Sequence, residues 1–318
     1  MGMSMKSLVT RLKPYLRWVI LGGTLFFIVK TLKDHWREVT EIQLTPDARY
    51  LLPLAFGVTL AAHVWSGWVW HWILELFNQP LGGRWSTPVY LKTNVAKYLP
   101  GNVWHFFGRV RALQKTGTPT GIAVLCVVME PLLMAVAALI LACVGGGQMV
   151  GVYSLWLQVG VACVALSVVH PRIFNPILQR LGRAKAKAQS LTFTGSSTGL
   201  LRAYPLRPLL GEIGFVLLRS LGFIAIVAAL QPVTTVSAFS SLVAAFGLAW
   251  LLGLVVPGAP GGIGVFEATA IPLLSGQFPV AVVLSSVAIY RLVSVLAEVI
   301  AAGGVWLGEK CVDSIKNF

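Results

Sequence analysis

Arginine is poorly tolerated at the centre of a lipid bilayer, and this chain places two within long apolar runs. Arg219 stands near the middle of residues 209–230 and Arg291 near the middle of residues 278–307. A guanidinium at that depth costs about 2.5–3.5 kcal/mol on insertion scales. Each must therefore face the interior of a bundle or a wet cavity. Each also has a glutamate seven positions away on its own run, Glu212 before Arg219 and Glu298 after Arg291. That spacing puts the two groups on one helix face but about 10.5 Å apart along the axis, so partners are expected across helices. Two readings stand open: an ion network that holds the bundle, or phosphate-binding arginines kept in orientation by acids. A third intramembrane acid, Glu130, precedes Pro131 in run 121–144. The proline frees a carbonyl one turn earlier and is expected to kink the helix. Glu130 is either protonated or paired with an arginine, with a proton relay as a further role.

Two proline–glycine breaks interrupt the apolar sequence. The stronger is Pro257-Gly258-Ala259-Pro260-Gly261-Gly262-Ile263-Gly264-Val265-Phe266-Glu267, and the other is Lys97-Tyr98-Leu99-Pro100-Gly101-Asn102, followed by Arg109 and Arg111. Proline removes a backbone donor and glycine loosens the helix. In hydrocarbon such backbone survives only where it is buried in protein or lines a cavity, and paired breaks point to a transport site. Gly258, Gly261, Gly262 and Gly264 lead into a short helix. Its first amides lack partners and its dipole is positive, so an anionic headgroup suits that end. Glu267 in the first turns complements the same dipole, and a plain hinge is the alternative. At the other break Asn94 and Lys97 share a helix face, flanked by Tyr90 and Tyr98. Lys97 either snorkels to the interface or reaches a phosphate. Arg109 and Arg111 either join it or mark the membrane boundary.

The run His63-Val64-Trp65-Ser66-Gly67-Trp68-Val69-Trp70-His71-Trp72 reads as an interfacial aromatic belt or a lipid-facing groove. The histidines lack the companion ligands of a metal site. No Gly-Lys-Ser/Thr phosphate loop, GxSxG, HExxH or DDxxD pattern occurs. No cofactor is expected, and enzymatic activity is not. Of the four cysteines, Cys126, Cys143 and Cys163 lie in apolar stretches and Cys311 near the C-terminus, without CxxC spacing. They read as small hydrophobes rather than disulfides or metal ligands.

The elements that must position these groups are membrane helices. The chain is 56% hydrophobic and 11% charged, against about 25% charged in soluble domains. Runs near the 20 residues needed to cross a bilayer are 15–31, 50–77, 121–144, 149–169, 209–230, 236–256 and 278–307. Residues 87–114 and 263–275 do not fit whole spans and read as re-entrant or half-membrane segments, with a charged loop as the alternative for 87–114. The fold class is thus all-α: a polytopic bundle of about seven spans with two Pro-Gly-broken segments, in a single membrane domain over 1–318. Halves 15–170 and 205–308 hint at an inverted repeat, joined by a basic linker, 171–204. The net charge of +14 sits in loops, where it orients the chain and suits anionic headgroups; no nucleic-acid motif accompanies it. Basic residues in 84–115 and 172–207 place these segments and the N-terminus in the cytoplasm, with a multi-pass location in the cell membrane. If 263–275 is re-entrant, Phe318 lies outside.

The ordered set Asn94…Lys97-Tyr98-Leu99-Pro100-Gly101-Asn102…Arg109, then Pro257 to Glu267, then Tyr290-Arg291, resembles the transmembrane region of the lysylphosphatidylglycerol synthase family over about residues 10–310. The resemblance implies a bundle that moves lipids between leaflets. The soluble domain that attaches the amino acid in full-length synthases is not expected in a chain ending at Phe318, so aminoacyl transfer is not carried over. The expected substrate is an anionic phospholipid or a polyprenyl-linked lipid. Arg219, Arg291 and Lys97 would contact phosphate, with Asn94, Tyr98, Pro100, Gly101, Arg109, Pro257, Gly258, Pro260, Gly261, Gly262, Gly264 and Tyr290 lining the path. Glu130, Glu267 and Glu298 would orient the bases. The alternatives are a membrane-embedded transferase and a non-transporting assembly partner of a lipid-modifying enzyme; a homo-oligomer or a lipid-synthesis enzyme is the expected protein partner.

Overall fold

The computed structural model describes residues 33, 37, 41, 43–99, 103–145, 153–176, 179–180, 200–256, 262 and 264–316. The first apolar run, 15–31, lies outside the described residues, as does most of the linker.

Among the described residues the elements are all helices: α1 Ala48–Leu76, α2 Gly83–Asn94, a 3-10 turn Val95–Tyr98, α3 Trp104–Lys115, α4 Thr120–Gly145, α5 Tyr153–Val168, α6 Leu206–Leu230, α7 Val236–Val255, α8 Val265–Leu274 and α9 Val280–Lys316. Five of them, α1, α4, α6, α7 and α9, are long and apolar enough to cross a membrane. They correspond to five of the expected runs. Within run 149–169 the described residues hold the 16 residues of α5, about 24 Å of helix. α4 continues as helix through Pro131.

α1 and α6 run antiparallel and form the central pair. Small residues let them approach closely. A Cβ on Gly211 would meet Val69 and Trp72, and one on Gly222 would meet Thr59 Oγ1 at 2.7 Å. The tryptophan-rich run lies on this interface. Trp70 is fully buried, Trp65 Nε1 donates to Gly211 O at 2.8 Å, and Trp68 alone of these three is well exposed. Trp70 stacks on Trp85 of α2 and donates to Cys126 O of α4 at 3.3 Å, while Val64 and Trp68 leave one side of the run exposed. Beyond it, Phe223, Phe246, Phe266 and Tyr290 from α6, α7, α8 and α9 form one ring cluster, every pair 5.4–6.1 Å apart between centroids.

Two helical hairpins enter this frame from opposite ends. α2 starts beside Trp68, passes Ser66 through Tyr90, and brings Lys97 to the level of His63. α3 then returns beside α2, where Gly108 packs on Thr93, and the turn after it reaches Gln79 through Thr118. The described parts of residues 87–114 thus form a hairpin that returns to the end of α1 near Gln79. The second hairpin is α7 and α8. Gly253 and Gly262 back onto each other at its inner end, with 3.0 Å between the Gly253 Cα and a Cβ built on Gly262. Gln277 Nε2 donates to Ser241 Oγ at 2.9 Å at its outer end.

This pairing corrects one expectation. α8 does not turn back to the face where α7 ends; it runs back along α7 to the face where α7 begins. α9 then crosses in full, and its Glu309 pairs with Lys92 of α2 at 2.5 Å. The end of the chain therefore lies on the face shared by the α2–α3 hairpin, Glu75 and Arg207, not on the opposite one. Its last two residues are outside the described residues.

Candidate functional site

The tips of the two hairpins meet at a cavity of about 510 Å³ in the middle of the bundle. One wall is polar: His63 of α1, Tyr90 and Asn94 of α2, Lys97 of the 3-10 turn, Arg109 of α3 and Glu130 of α4. The other wall is apolar and includes Val128 and Leu132 of α4 with Leu254 and Val255 of α7. Val128, Leu254 and Val255 are well exposed, so this flank is an accessible apolar surface. Gly253 and Gly262 of the second break also line the space.

Three charged networks surround it. In the first, Arg109 pairs with Glu130 inside the bundle, with side-chain exposures of 1% and 4%. Arg109 Nη2 donates to Asn94 Oδ1 at 3.2 Å and Nε to Thr93 Oγ1 at 3.3 Å. The guanidinium lies 3.8 Å over the Tyr90 ring, a stacked cation–π contact. Tyr90 OH donates to Glu130 Oε1 at 2.6 Å and accepts from Ser66 Oγ at 2.7 Å. Burying such a pair is costly unless hydrogen bonds fill the remaining positions. Here Asn94, Thr93, Tyr90 and Ser66 do so.

In the second, Lys97 Nζ donates to Glu298 Oε1 at 2.5 Å. His63 Nε2 lies 3.2 Å from that oxygen and 2.9 Å from Arg219 Nη1. The His63 ring nitrogen thus stands between the guanidinium of Arg219 and the carboxylate of Glu298. Arg219 Nη2 donates to Ser294 Oγ at 3.0 Å, and the guanidinium lies over the rings of Trp250 and Tyr290 at 5.1 and 4.9 Å. Lys97 meets the carboxylate of Glu298 directly, and Arg219 is linked to it through His63.

In the third, Arg291 Nε donates to Glu267 Oε1 at 3.0 Å and Nη2 to Gly262 O at 2.9 Å. Glu267 Oε2 accepts the Gly264 N–H at 2.6 Å, capping the start of α8. Gly262 and Gly264 have φ of +70° and +85°, values that favour glycine. Arg291 therefore ties the broken backbone to the helix that follows it.

The expected site residues divide accordingly. Asn94, Lys97, Arg109, Glu130 and Gly262 line the cavity. Arg219, Glu298, Glu267, Arg291, Gly264 and Tyr290 stand behind it as partners of the wall. Tyr98 supports Lys97 with its ring, 5.2 Å from Nζ. Pro100, Gly101, Pro257, Gly258, Pro260 and Gly261 lie outside the described residues. Glu212 and Arg219 do not pair along their helix, nor do Arg291 and Glu298. Each of these residues except Glu212 finds a partner on another helix. Arg109 is deeply buried and Arg111 exposed, so only the second has the setting of a boundary residue. Sequence reasoning passed over three groups: Ser66, Thr93 and His105, the last buried on the cavity wall. Adjacency to Asn94 and to the first break was the only signal Thr93 and His105 carried, while Ser66 lies 24 positions from Tyr90 inside the tryptophan-rich run. His63 was weighed only within the aromatic run, because its partners come from α6 and α9.

A family model for the lysylphosphatidylglycerol synthase TM region matches residues 16–302. The chain belongs to that family. The match runs through all three networks and both breaks, so this lysylphosphatidylglycerol synthase TM region contains every residue of the cavity wall. No curated protein matches the chain significantly.

Proposed function

We propose that this protein is a flippase-like lipid transporter that binds an anionic phospholipid or lipid-linked headgroup and moves it between leaflets. The observation that supports this most is the two-sided cavity. Its polar wall presents Lys97 and Arg109 beside the single carboxylate of Glu130, while its other wall is apolar. A phosphate diester seated against Lys97 accepts a hydrogen bond from its ammonium, and its acyl chains stay beside Val128, Leu254 and Val255. A headgroup so held avoids hydrocarbon, where each unsatisfied polar group costs several kcal/mol.

The two hairpins fit the same reading. One enters from each membrane face, as inverted-repeat transporters place broken helices around a midplane site. Halves 15–170 and 205–308 are the proposed repeats, in the cell membrane with the N-terminus cytoplasmic. The test is translocation of a head-labelled phosphatidylglycerol in proteoliposomes of the purified chain. Transport above protein-free vesicles, reduced in Lys97→Gln, is expected. Equal rates with and without protein overturn the proposal.

A further inference from the structure

Glu212 is the one carboxylate among the described residues with both oxygens buried and neither in a hydrogen bond. Its exposure is 0%, and α6 places it toward the face where Arg207 pairs with Glu75. An ionised carboxylate so placed pays the full cost of desolvation with no return. The groups that face it are few. Glu130 of α4 and Arg109 of α3 interact with it electrostatically, as does Tyr90 of α2. On α1, Val69 and Trp72 pack on the adjacent Gly211. The histidines of that helix are engaged elsewhere, His63 with Arg219 and His71 with Glu75. α9 meets α6 further along, at Arg219 through Ser294. The local set is thus one cation, Arg109, against two carboxyls, Glu130 and Glu212.

We propose that Glu130 and Glu212 form a buried proton-binding site, holding one proton when the cavity is empty and a second when an anionic headgroup engages Arg109. The second half rests on the proposed lipid binding. With one proton on the pair, Arg109 and one carboxylate balance. A phosphate diester that reaches Arg109 along the cavity wall takes over that countercharge. The remaining carboxylate, still fully buried, is then neutralised by a proton from solvent. No bond other than O–H forms, and charge stays balanced: one anion and one proton enter together. Headgroup binding becomes proton-linked, with affinity rising about tenfold per unit fall in pH over the range where that proton is taken up. A proton gradient across the membrane then biases the direction of lipid movement, in a chain without a nucleotide motif.

Two measurements on the purified full chain test this. Difference infrared spectroscopy at neutral pH reads the carbonyl stretch of a protonated carboxylic acid. The band is expected in the wild type and absent in Glu212→Gln. It is also expected to vanish in Glu130→Gln, because Glu212 then ionises to balance Arg109, whereas a Glu212 that is merely a neutral packing residue keeps the band there. A wild type without the band, or a band surviving in either variant, overturns the site. The wild-type spectrum decides even if a variant fails to fold. In weak buffer, phosphatidylglycerol is expected to draw about one proton per lipid bound, and phosphatidylcholine none. Bound phosphatidylglycerol without proton uptake overturns the linkage. Absence of phosphatidylglycerol binding overturns the lipid-binding reading and the linkage with it, while the infrared result still decides the empty-site proton.

Discussion

Arg109 of α3 and Glu130 of α4 form an ion pair almost closed to solvent, and it ties the first hairpin to a long helix through the cavity wall. Removing one partner of such a pair leaves a buried charge, at a cost of about 3–5 kcal/mol. Arg109→Met is expected to lower stability by about that amount. The double variant Arg109→Met with Glu130→Gln is expected to recover most of it without recovering lipid movement. Thermal unfolding in detergent, beside the vesicle assay, checks both halves.

Lys97 and Lys92 contrast a cavity pair with a surface pair. Lys97 has 18% side-chain exposure against 2% for Glu298, whereas Lys92 and Glu309 are 37% and 49% exposed. A hydrogen bond to a charged group contributes about 1.5–3 kcal/mol, so Lys97→Gln is expected to slow transport of anionic lipid about 10- to 100-fold. Lys92→Gln is expected to change stability by less than about 1 kcal/mol and transport hardly at all. Rates at matched protein incorporation decide this.

Gly262 has a positive φ and no room for a side chain against Gly253, whereas Gly303 on α9 has open space. Gly262→Ala is expected to cost about 1–2 kcal/mol from the left-handed backbone alone, with the crowding added, and to impair transport. Gly303→Ala is expected to be neutral or stabilising by up to about 1 kcal/mol. Equal stability of the two variants in an unfolding series would contradict the geometry.

Arg291 holds Glu267 and the Gly262 carbonyl rather than lining the cavity. Arg291→Gln alone leaves Glu267 without its ion-pair partner and is expected to lose both stability and transport. Adding Glu267→Gln is expected to restore most of each, because the pair fixes the backbone. A folded but inactive double variant would instead give Arg291 a direct role at the headgroup.

The hairpin topology predicts sidedness. A cysteine at Thr234, before α7, is expected to label from outside intact cells. Cysteines at Arg202 and Glu309 are expected to label only after permeabilisation, since Lys92 holds Glu309 on the face of the basic segments. External labelling at Glu309 would overturn the path assigned to α8 and α9.

The sequence by itself determined the membrane class, seven apolar runs of which five are long helices among the described residues, and the two places where helix must fail. These follow from local properties: apolar length, and the proline and glycine that cannot continue a hydrogen-bonded ladder. It also determined that Arg219 and Arg291 face the interior, since lipid gives a guanidinium no alternative. Only the tertiary structure decided which charge meets which. Arg109 finds Glu130 21 positions away, Lys97 finds Glu298 across 201, and Arg219 finds His63 across 156. Such pairings depend on how helices dock, and helix periodicity constrains one helix at a time. The same limit hid the route of α8, because a ten-residue helix after a break can return to either face. Its course is set by the Gly253–Gly262 contact and the aromatic cluster around Phe266, both built from residues that lie on different helices until the bundle closes.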